Sequence, residues 1–248
     1  MRIGTGLLAG LLAAGFVVSA AAQKASAPPD NEAILAQTID SSSPYYYPAL
    51  HLRYMMGDTT LTKQDYHCLY YGYAFQDRYR PLESIPAQDQ ILMIFDRNPE
   101  PDSLDCTKIV EYANQVMRAD PFSPANINFL IYAYGKLGDY RNERLNRIRL
   151  DNITDAIRSS GEGTSEKSPW HVLFFSHAGD MVVMMGLQPL KRIVVSRSVE
   201  FIPLYRKQGK AKGFYFDFSR AYWNRPEARP RTRPGWELNG VKLNRKQP

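Results

Sequence analysis

The sequence predicts an α+β protein, in which a mainly helical N-terminal part is followed by a small antiparallel β-sheet with a short helix. Two observations indicate this fold class. Apolar residues recur at helical spacing from Asn31 to about Ser159. After Ser160 the pattern changes to a Gly- and Ser-rich stretch and then to short runs of β-branched and aromatic residues, which favour strands.

The N-terminus has the layout of a secretory signal peptide. A positive charge at Arg2 precedes an apolar run over 7–18, and an A-x-A motif ends at Ala22. Cleavage between Ala22 and Gln23 would release an exported chain, either periplasmic or secreted. The apolar run is about 12 residues long, whereas a membrane-spanning helix needs roughly 20. We therefore expect no integral membrane protein, and no lipid anchor on an N-terminal cysteine, because the first cysteine is Cys68.

The positive charge of the chain is concentrated in residues 220–248. The whole chain has a net charge of +6, and the basic residues of this segment outnumber its acids, Glu227 and Glu237, by the same margin. The near-neutral body argues against a nucleic-acid partner. The basic segment suits anionic lipid, polysaccharide or an acidic partner, and the alternative is a solubilising extension. Its basic residues are Arg220, Arg225, Arg229, Arg231, Arg233, Lys242, Arg245 and Lys246.

The two cysteines allow a disulfide, since an oxidising compartment permits one. A bond between Cys68 and Cys106 would close a loop of about 39 residues, worth on the order of 3–4 kcal/mol in the chain-entropy model. The alternative is two buried thiols on helix faces. Two cysteines without suitably spaced histidines do not make a structural zinc site.

Seven helices are expected before Ser160, separated by turn signals rich in Gly, Pro and Asp. Thr62 and Asp65 form a capping box at the start of the third helix, because the Thr hydroxyl can accept from a free backbone N–H. Asp102 and Asp105 repeat this pattern at the fifth helix. The expected helices span 31–40, 44–56, 62–76, 86–97, 103–119, 124–137 and 140–159.

The third helix has tyrosines and apolar residues on every side. Tyr66, Leu69, Tyr70 and Tyr73 share one face, and Tyr71 lies with apolar residues on the other. A helix that is apolar all round is normally buried at the centre of a bundle, and each buried hydroxyl then needs a partner. We prefer this interpretation to a tyrosine-lined ligand groove.

Residues 102–140 resemble the tetratricopeptide repeat. The end of 125–140, with the sequence AYGKLGDY, is similar to that family's helix-turn signature. Small Ala133 and Gly135 let two helices approach, and Gly138 ends the first helix. The resemblance covers about one and a half repeats. It implies a tetratricopeptide-like layer embedded in a larger helical domain, with a surface for another protein.

A second resemblance covers residues 45–219 and is to a secreted bacterial family of uncharacterised proteins, domain of unknown function 4919. This family has no established activity or site residues, so the resemblance implies no chemistry. The segments that carry it are Tyr45–Pro48, Arg53-Tyr54, Gly57–Thr62, Asp65-Tyr66, Leu69–Tyr73, Gly161–Ser165 and Gly213–Ser219.

After the helices we expect a linker over 161–169, strands over 170–177, within 192–205 and over 212–219, and a short apolar helix at 179–187. Gly161-Glu162-Gly163 comes after a helix and is predicted to be a C-cap and linker rather than a dinucleotide site. The predicted organisation is a signal peptide at 1–22, a disordered leader at 23–30, a helical domain at 31–160, a β-containing part packed on the helices at 161–219, and a disordered or extended basic tail at 220–248.

Few residues of this chain suggest chemistry. In a strand, His171 and His177 would lie about 20 Å apart, too far to share a zinc ion. Ser176, His177 and Asp180 are the residue types of a catalytic triad, but neighbours in a strand point to opposite faces, so we expect an exposed histidine instead. The acids Glu111, Asp151, Asp155 and Glu200 are scattered, and Arg141, Arg144, Arg147 and Arg149 suit a solvated helix face or a polyanion-binding ridge.

We therefore expect an exported, non-catalytic protein-protein interaction or scaffold module of the cell envelope, with no catalytic, cofactor or metal site. The partner would be an envelope protein. The alternatives are an enzyme acting on an envelope substrate, with its site between the helical and β parts, and binding of an anionic surface through the tail.

Overall fold

The computed structural model describes residues 26–223, 237–238 and 241–242. The predicted signal peptide and the basic residues beyond 223 therefore lie outside the described residues, apart from the two short paired strands Glu237–Leu238 and Val241–Lys242. The helices are α1 Asn31–Ile39, α2 Tyr47–Met55, α3 Lys63–Gly72, α4 Pro86–Arg97, α5 Ser103–Ala119, α6 Pro124–Leu137, α7 Tyr140–Arg158, α8 Phe175–Met184 and α9 Ser219–Trp223.

The first seven helices match the predicted ones, and their ends have the expected caps. The capping box of Thr62 and Asp65 is present at α3, since each side chain bonds to the backbone of the other residue. Asp102 caps α5 by accepting from the Asp105 N–H. Gly138 ends α6 with φ 76°, a left-handed conformation that favours glycine. These local contacts explain why the helix boundaries can be derived from the sequence.

Helix α3, extended by a 3-10 turn at Tyr73–Phe75, lies at the centre of the helical part and packs against α1, α2 and α7. Helices α4 to α7 each pack against the next along the chain. The tyrosines of α3 are buried, which confirms the prediction of a packed core. Tyr71 donates to the backbone oxygen of His171, and Tyr73 donates to that of Ala119 at 2.8 Å. The Tyr71 hydroxyl thereby ties the helical part to the first strand of the sheet.

The sheet has the order β1-β4-β3-β2 and is mixed. Strands β2, β3 and β4 pair in the predicted antiparallel manner, whereas β1 joins β4 in parallel with Trp170 opposite Phe216. Its strands are β1 Trp170–His171, β2 Ile193–Val194, β3 Val199–Gln208 and β4 Ala211–Asp217.

One prediction for the segment after α7 is wrong. Residues 170–177 do not form one strand, because β1 ends at His171 and α8 starts at Phe175. Residues 161–169, the predicted linker, form a compact turn in which the backbone N–H groups of Glu162 and Gly163 donate to Ser168. The indole of Trp170 closes this turn by donating to the backbone oxygen of Gly161 at 3.0 Å.

Both ends of the described body pack against it, which differs from the prediction. Residues 26–30, predicted to be part of a disordered leader, are held against the body because the Ala27 N–H donates to Ser159 and Pro29 is buried. Arg220, predicted to be part of the basic tail, lies in α9 and is only 2% exposed. A single cluster of buried apolar residues runs from Ile34 to Ala221, so the helices and the sheet share one core. None of the helices in the described part is both long and apolar enough to cross a bilayer.

Candidate functional site

A chain of buried polar side chains joins α3, the turn after α5, and α8. The Tyr70 hydroxyl lies 2.9 Å from Nδ1 of His177, and Nε2 of His177 lies 2.8 Å from Oδ2 of Asp120. The backbone N–H of Leu173 donates to the Tyr70 oxygen at 3.2 Å. His177 is 0% exposed and Asp120 is 2% exposed. We call Tyr70, His177 and Asp120 the buried triad.

The partners define the proton positions in the buried triad. A carboxylate only accepts hydrogen bonds, so Nε2 of His177 carries the proton that it donates to Asp120. In the neutral imidazole, Nδ1 then accepts from the Tyr70 hydroxyl, whose oxygen accepts from the Leu173 N–H. Both imidazole nitrogens are therefore committed to protein groups. This arrangement holds three segments together and leaves His177 no free nitrogen for a substrate.

The structure does not bring Ser176, His177 and Asp180 of α8 together as a catalytic triad. Ser176 is exposed and His177 is buried, because consecutive residues of a helix point in different directions. The prediction of an exposed His177 in a strand is wrong. Asp180 lies one turn further along α8, where the Ala125 N–H donates to its Oδ2 at 3.4 Å. Burial raises the pKa of Asp180 to about 6, and the hydrogen bond from the Ala125 N–H opposes this shift.

A cleft of about 260 Å³ lies beside the buried triad. Asp120 contributes to its lining, together with Glu83 and Asp89 and the side of Phe174. Of the buried triad, Asp120 lines this cleft and His177 and Tyr70 do not.

A second polar cluster connects the sheet to α9. His171 Nδ1 lies 3.4 Å from Oδ1 of Asp217 and 3.4 Å from Nη1 of Arg220. Burial alone would raise the pKa of Asp217, but hydrogen bonds from His171, Ser219 and Ser198 outweigh it and hold that pKa well below its usual range. His171 and His177 thus belong to separate networks, and within the described residues no group of three or more potential metal ligands is found.

The cysteines are both buried free thiols, so the Cys68–Cys106 disulfide is not formed in the structure. The Cys68 Sγ lies 3.7 Å from Oε1 of Gln37, and the Cys106 Sγ lies 3.7 Å from the backbone oxygen of Pro101. Burial raises the pKa of Cys68 to about 11, which makes its thiolate scarce at neutral pH.

Two of the charged residues that looked like surface groups are buried. Arg149 donates from Nη2 to the backbone oxygen of Tyr54 at 2.6 Å, so the predicted basic face of α7 does not include it. Glu200 is buried in the sheet beside Arg192, with 3.1 Å between Oε2 and Nε. Arg147 does fit a solvated face, since it pairs with Glu143 one turn away.

Helices α4 and α6 share a half-buried aromatic surface. The ring centroid of Phe95 lies 5.3 Å from that of Phe129 and 5.5 Å from that of Tyr132. The ammonium group of Lys136 lies 5.7 Å from the Tyr132 centroid. Phe129, Tyr132 and Lys136 occupy one side of α6 by their helical spacing. We call these four residues the α4–α6 face.

Sequence reasoning missed Asp120 and Tyr70 as partners of His177, because they are 57 and 107 positions away. The available signal was Asp120-Pro121 at the end of α5, which indicates a turn but no long-range contact. The α4–α6 face was also missed. Its signal is the spacing of aromatic residues within the segment that resembles the tetratricopeptide repeat.

The fold and these sites define an α+β protein in which a helical part and a small mixed sheet share one core. The chain belongs to the family described as domain of unknown function 4919 (DUF4919), whose model matches residues 32–225. This confirms the resemblance stated from the sequence and extends it at both ends. No curated protein and no solved structure matches the chain significantly.

Proposed function

We propose that this chain is an exported, non-catalytic protein of the cell envelope that binds another protein through its helical part. The observation that carries the proposal is the α4–α6 face. Aromatic side chains that are only half buried supply a large contact area at low entropic cost and are enriched at protein interfaces.

The geometry of the α4–α6 face supports this role. Phe95 comes from α4, and Phe129 and Tyr132 come from α6, so the surface is formed by two helices that alternate along the chain with α5. Stacked helices that share a face in this way present extended binding surfaces in helical-repeat proteins. Leu92, which is 50% exposed on α4, adds apolar area on the same helix.

The test compares two aromatic-to-alanine variants in affinity capture from envelope extract. Tyr132→Ala removes the ring that links Phe95 to Lys136, whereas Tyr140→Ala removes a ring that is 72% exposed at the start of α7. We expect Tyr132→Ala to lower recovery of the protein partner about tenfold or more, as for interface hot spots. The Tyr140→Ala variant should recover the protein partner as well as the parent chain does.

Both variants need the helical content of the parent, measured by far-UV circular dichroism, before their capture is compared. Equal recovery of one partner by both variants would contradict a role for the α4–α6 face. Recovery of only soluble metabolites or glycans would instead favour an enzyme.

An enzyme acting on an envelope substrate is the second candidate, and the cleft beside Asp120 favours it. Asp120 is one of the residues that line the cavity, its Oδ2 lies 2.8 Å from Nε2 of His177, and an orienting carboxylate–imidazole pair is common in active sites. The expected result is a substrate whose turnover is lost in Asp120→Asn at preserved fold. Turnover that survives in Asp120→Asn would remove this candidate.

Binding of anionic lipid or polysaccharide by the basic tail is a third proposal, and it concerns residues outside the described part. The deletion that tests it starts at residue 224, because Arg220 is buried and α9 ends at Trp223. Co-sedimentation with anionic vesicles should fall on this deletion and at high salt. Unchanged co-sedimentation would reject the proposal.

A further inference from the structure

Strand β2 lies at the outer edge of the sheet and is unusually apolar for an edge. Ile193 is 54% exposed and Val194 is 71% exposed. The extended chain runs along β3 for longer than β2 itself, because Leu190 donates to Pro203 at 2.8 Å and Val195 donates to Val199 at 3.0 Å. In antiparallel pairing, alternate backbone groups point away from the partner strand. Within the described residues, nothing pairs with the outer side of this segment.

An apolar cleft of about 380 Å³ adjoins the same edge. Leu190 and Ile202 line it from the sheet, and Phe175 and Gly179 line it from α8. Arg192 is also part of the lining, with its guanidinium 4.6 Å from the centroid of the Phe175 ring. The cleft has the size for one apolar side chain of a strand placed beside β2.

The surroundings of the edge are strongly basic. Between residues 188 and 212 the only acid is Glu200, which is buried beside Arg192. Within the described part of the chain, none of the other basic residues of this segment forms an ion pair through its side chain. All of its basic residues are exposed: Lys191, Arg192, Arg197, Arg206, Lys207, Lys210 and Lys212.

We propose that the β2 edge binds an extended acidic peptide segment of another protein as an additional strand, with one apolar side chain in the cleft of Leu190 and Phe175. Edge-strand addition takes its affinity from backbone hydrogen bonds and its specificity from side-chain pockets. The charge of the edge selects the occupant. A second copy of this chain would place its own Lys191 and Arg197 beside those of the first copy, and like charges repel. The basic C-terminal segment would be repelled for the same reason. This inference does not depend on the α4–α6 face.

The probe is a short synthetic peptide that alternates Val with Glu and carries one central Phe, compared with the same peptide carrying Lys for Glu. Binding to the mature chain is measured by fluorescence anisotropy, and its site by hydrogen exchange of the 189–195 amides. We expect the acidic peptide to bind and to protect these amides, and the basic peptide not to bind. Binding without protection, or no binding of the acidic peptide, would overturn the proposal.

Two variants of the full mature chain separate charge from cleft. Lys191→Glu combined with Arg197→Glu should lower affinity for the acidic peptide about tenfold and create affinity for the basic one. Gly179→Leu places an apolar side chain at the lining of the cleft, where an added Cβ meets nothing within 4 Å. It should lower the affinity for the Phe-containing peptide about fivefold, and it should leave the affinity for a peptide with alanine in place of that Phe unchanged. Equal affinity of all variants for the acidic peptide would overturn the proposal.

The other occupants are tested on the same protein. If replacing Arg229, Arg231 and Arg233 by Gln strengthens peptide binding, the C-terminal segment competes for the edge and the proposal is wrong. It is also wrong if sedimentation shows a dimer that the acidic peptide dissociates, or if anionic vesicles displace the peptide and protect the same amides. Unchanged peptide affinity in the Gln variant, a monomer and no displacement by vesicles support it.

Discussion

Single buried hydroxyls hold the helical part to the segment between β1 and α8. Tyr70 accepts from Leu173 and donates to His177, so its oxygen joins two residues that are about a hundred positions away in the chain. Tyr47 is also buried, yet its hydroxyl has no hydrogen-bond partner among the described residues. These two tyrosines therefore make a matched pair of the same residue type in different polar environments.

Tyr70→Phe should lower the free energy of unfolding by about 2–4 kcal/mol, because it leaves the Leu173 N–H and His177 Nδ1 buried without a partner. Tyr47→Phe should leave stability unchanged or slightly higher, since it removes a hydroxyl that is buried without a bond. Chemical denaturation of both variants measures the difference. Equal losses would contradict the assigned role of the Tyr70 hydroxyl.

Asp180 gives the stability of this protein a dependence on pH. The raised pKa, about 6 against an ordinary 3.8, means that the folded state holds the proton more tightly than the unfolded chain. The contribution of Asp180 to stability is therefore greatest below about pH 4, falls as pH rises toward 6, and stays lower above that. Asp180→Asn should raise the free energy of unfolding by about 1–3 kcal/mol at pH 8, where the carboxylate is charged.

Thermal unfolding across pH 2 to 8 tests this prediction, and the advantage of Asp180→Asn should vanish at and below about pH 4. Asp58 serves as a control of opposite sign, because hydrogen bonds from Thr60 and Arg53 lower its pKa to about 2. Its stabilising contribution is present above pH 4 and is lost as pH falls toward 2. If the effect of Asp180→Asn on stability did not depend on pH, the pKa of the Asp180 carboxyl would not be raised in the folded state.

Among the secondary-structure elements, the turn between α7 and β1 depends most on a glycine. Gly163 has φ 71°, and a Cβ added there would lie 2.5 Å from the Trp170 ring. Its backbone oxygen also accepts from the Tyr215 N–H of β4 at 2.8 Å. Gly138, at the end of α6, has a similar φ of 76° but nothing within 4 Å of an added Cβ. Alanine at position 138 would therefore be disfavoured only by the left-handed backbone conformation, and not by a steric clash.

Gly138→Ala should cost about 1 kcal/mol of stability, the usual penalty of a left-handed conformation. Gly163→Ala should cost about 3 kcal/mol or more, because the Trp170 indole must move from its bond to Gly161. Thermal midpoints of the two variants give the comparison. Trp170 fluorescence should shift in Gly163→Ala alone, and an unshifted spectrum would contradict the packing of this turn.

The helices could be predicted from the sequence because their caps are local: Thr62 and Asp65, or Asp102 and Asp105, lie within one turn of each other. The start of α8 could not be predicted, because no side chain caps it and its N-cap and first residue are the apolar pair Phe174 and Phe175, which suit a strand equally well. The burial of His177 depends on partners that are distant in the sequence, so no local sequence pattern could predict it.

At the scale of the whole molecule, the helical and β parts share one core rather than forming two domains. Tyr70, Tyr71 and Tyr79 of the helical part all bond to residues of the 171–177 segment. A chain ending at residue 160 would lose these partners and expose the apolar residues that pack beneath the sheet. Burial on folding is therefore shared by elements that are far apart in the sequence.

We expect a chain of residues 26–160 to lack fixed tertiary structure, and a chain of residues 26–223 to unfold in one cooperative transition. Near-UV circular dichroism of both chains and calorimetry of the longer one test this. A cooperative transition in the shorter chain would show that the helical part is a separate domain.

Arg220 has a consequence for the order in which the chain can fold. Its Nη2 lies 3.2 Å from the backbone oxygen of Pro29, and its guanidinium lies 5.0 Å from the centroid of the Tyr71 ring. The first and last turns of the described body thus meet at Arg220. A chain that leaves the ribosome N-terminus first cannot complete this closure until Arg220 has emerged, so the Pro29 backbone oxygen waits for this partner while the helices between them are being made.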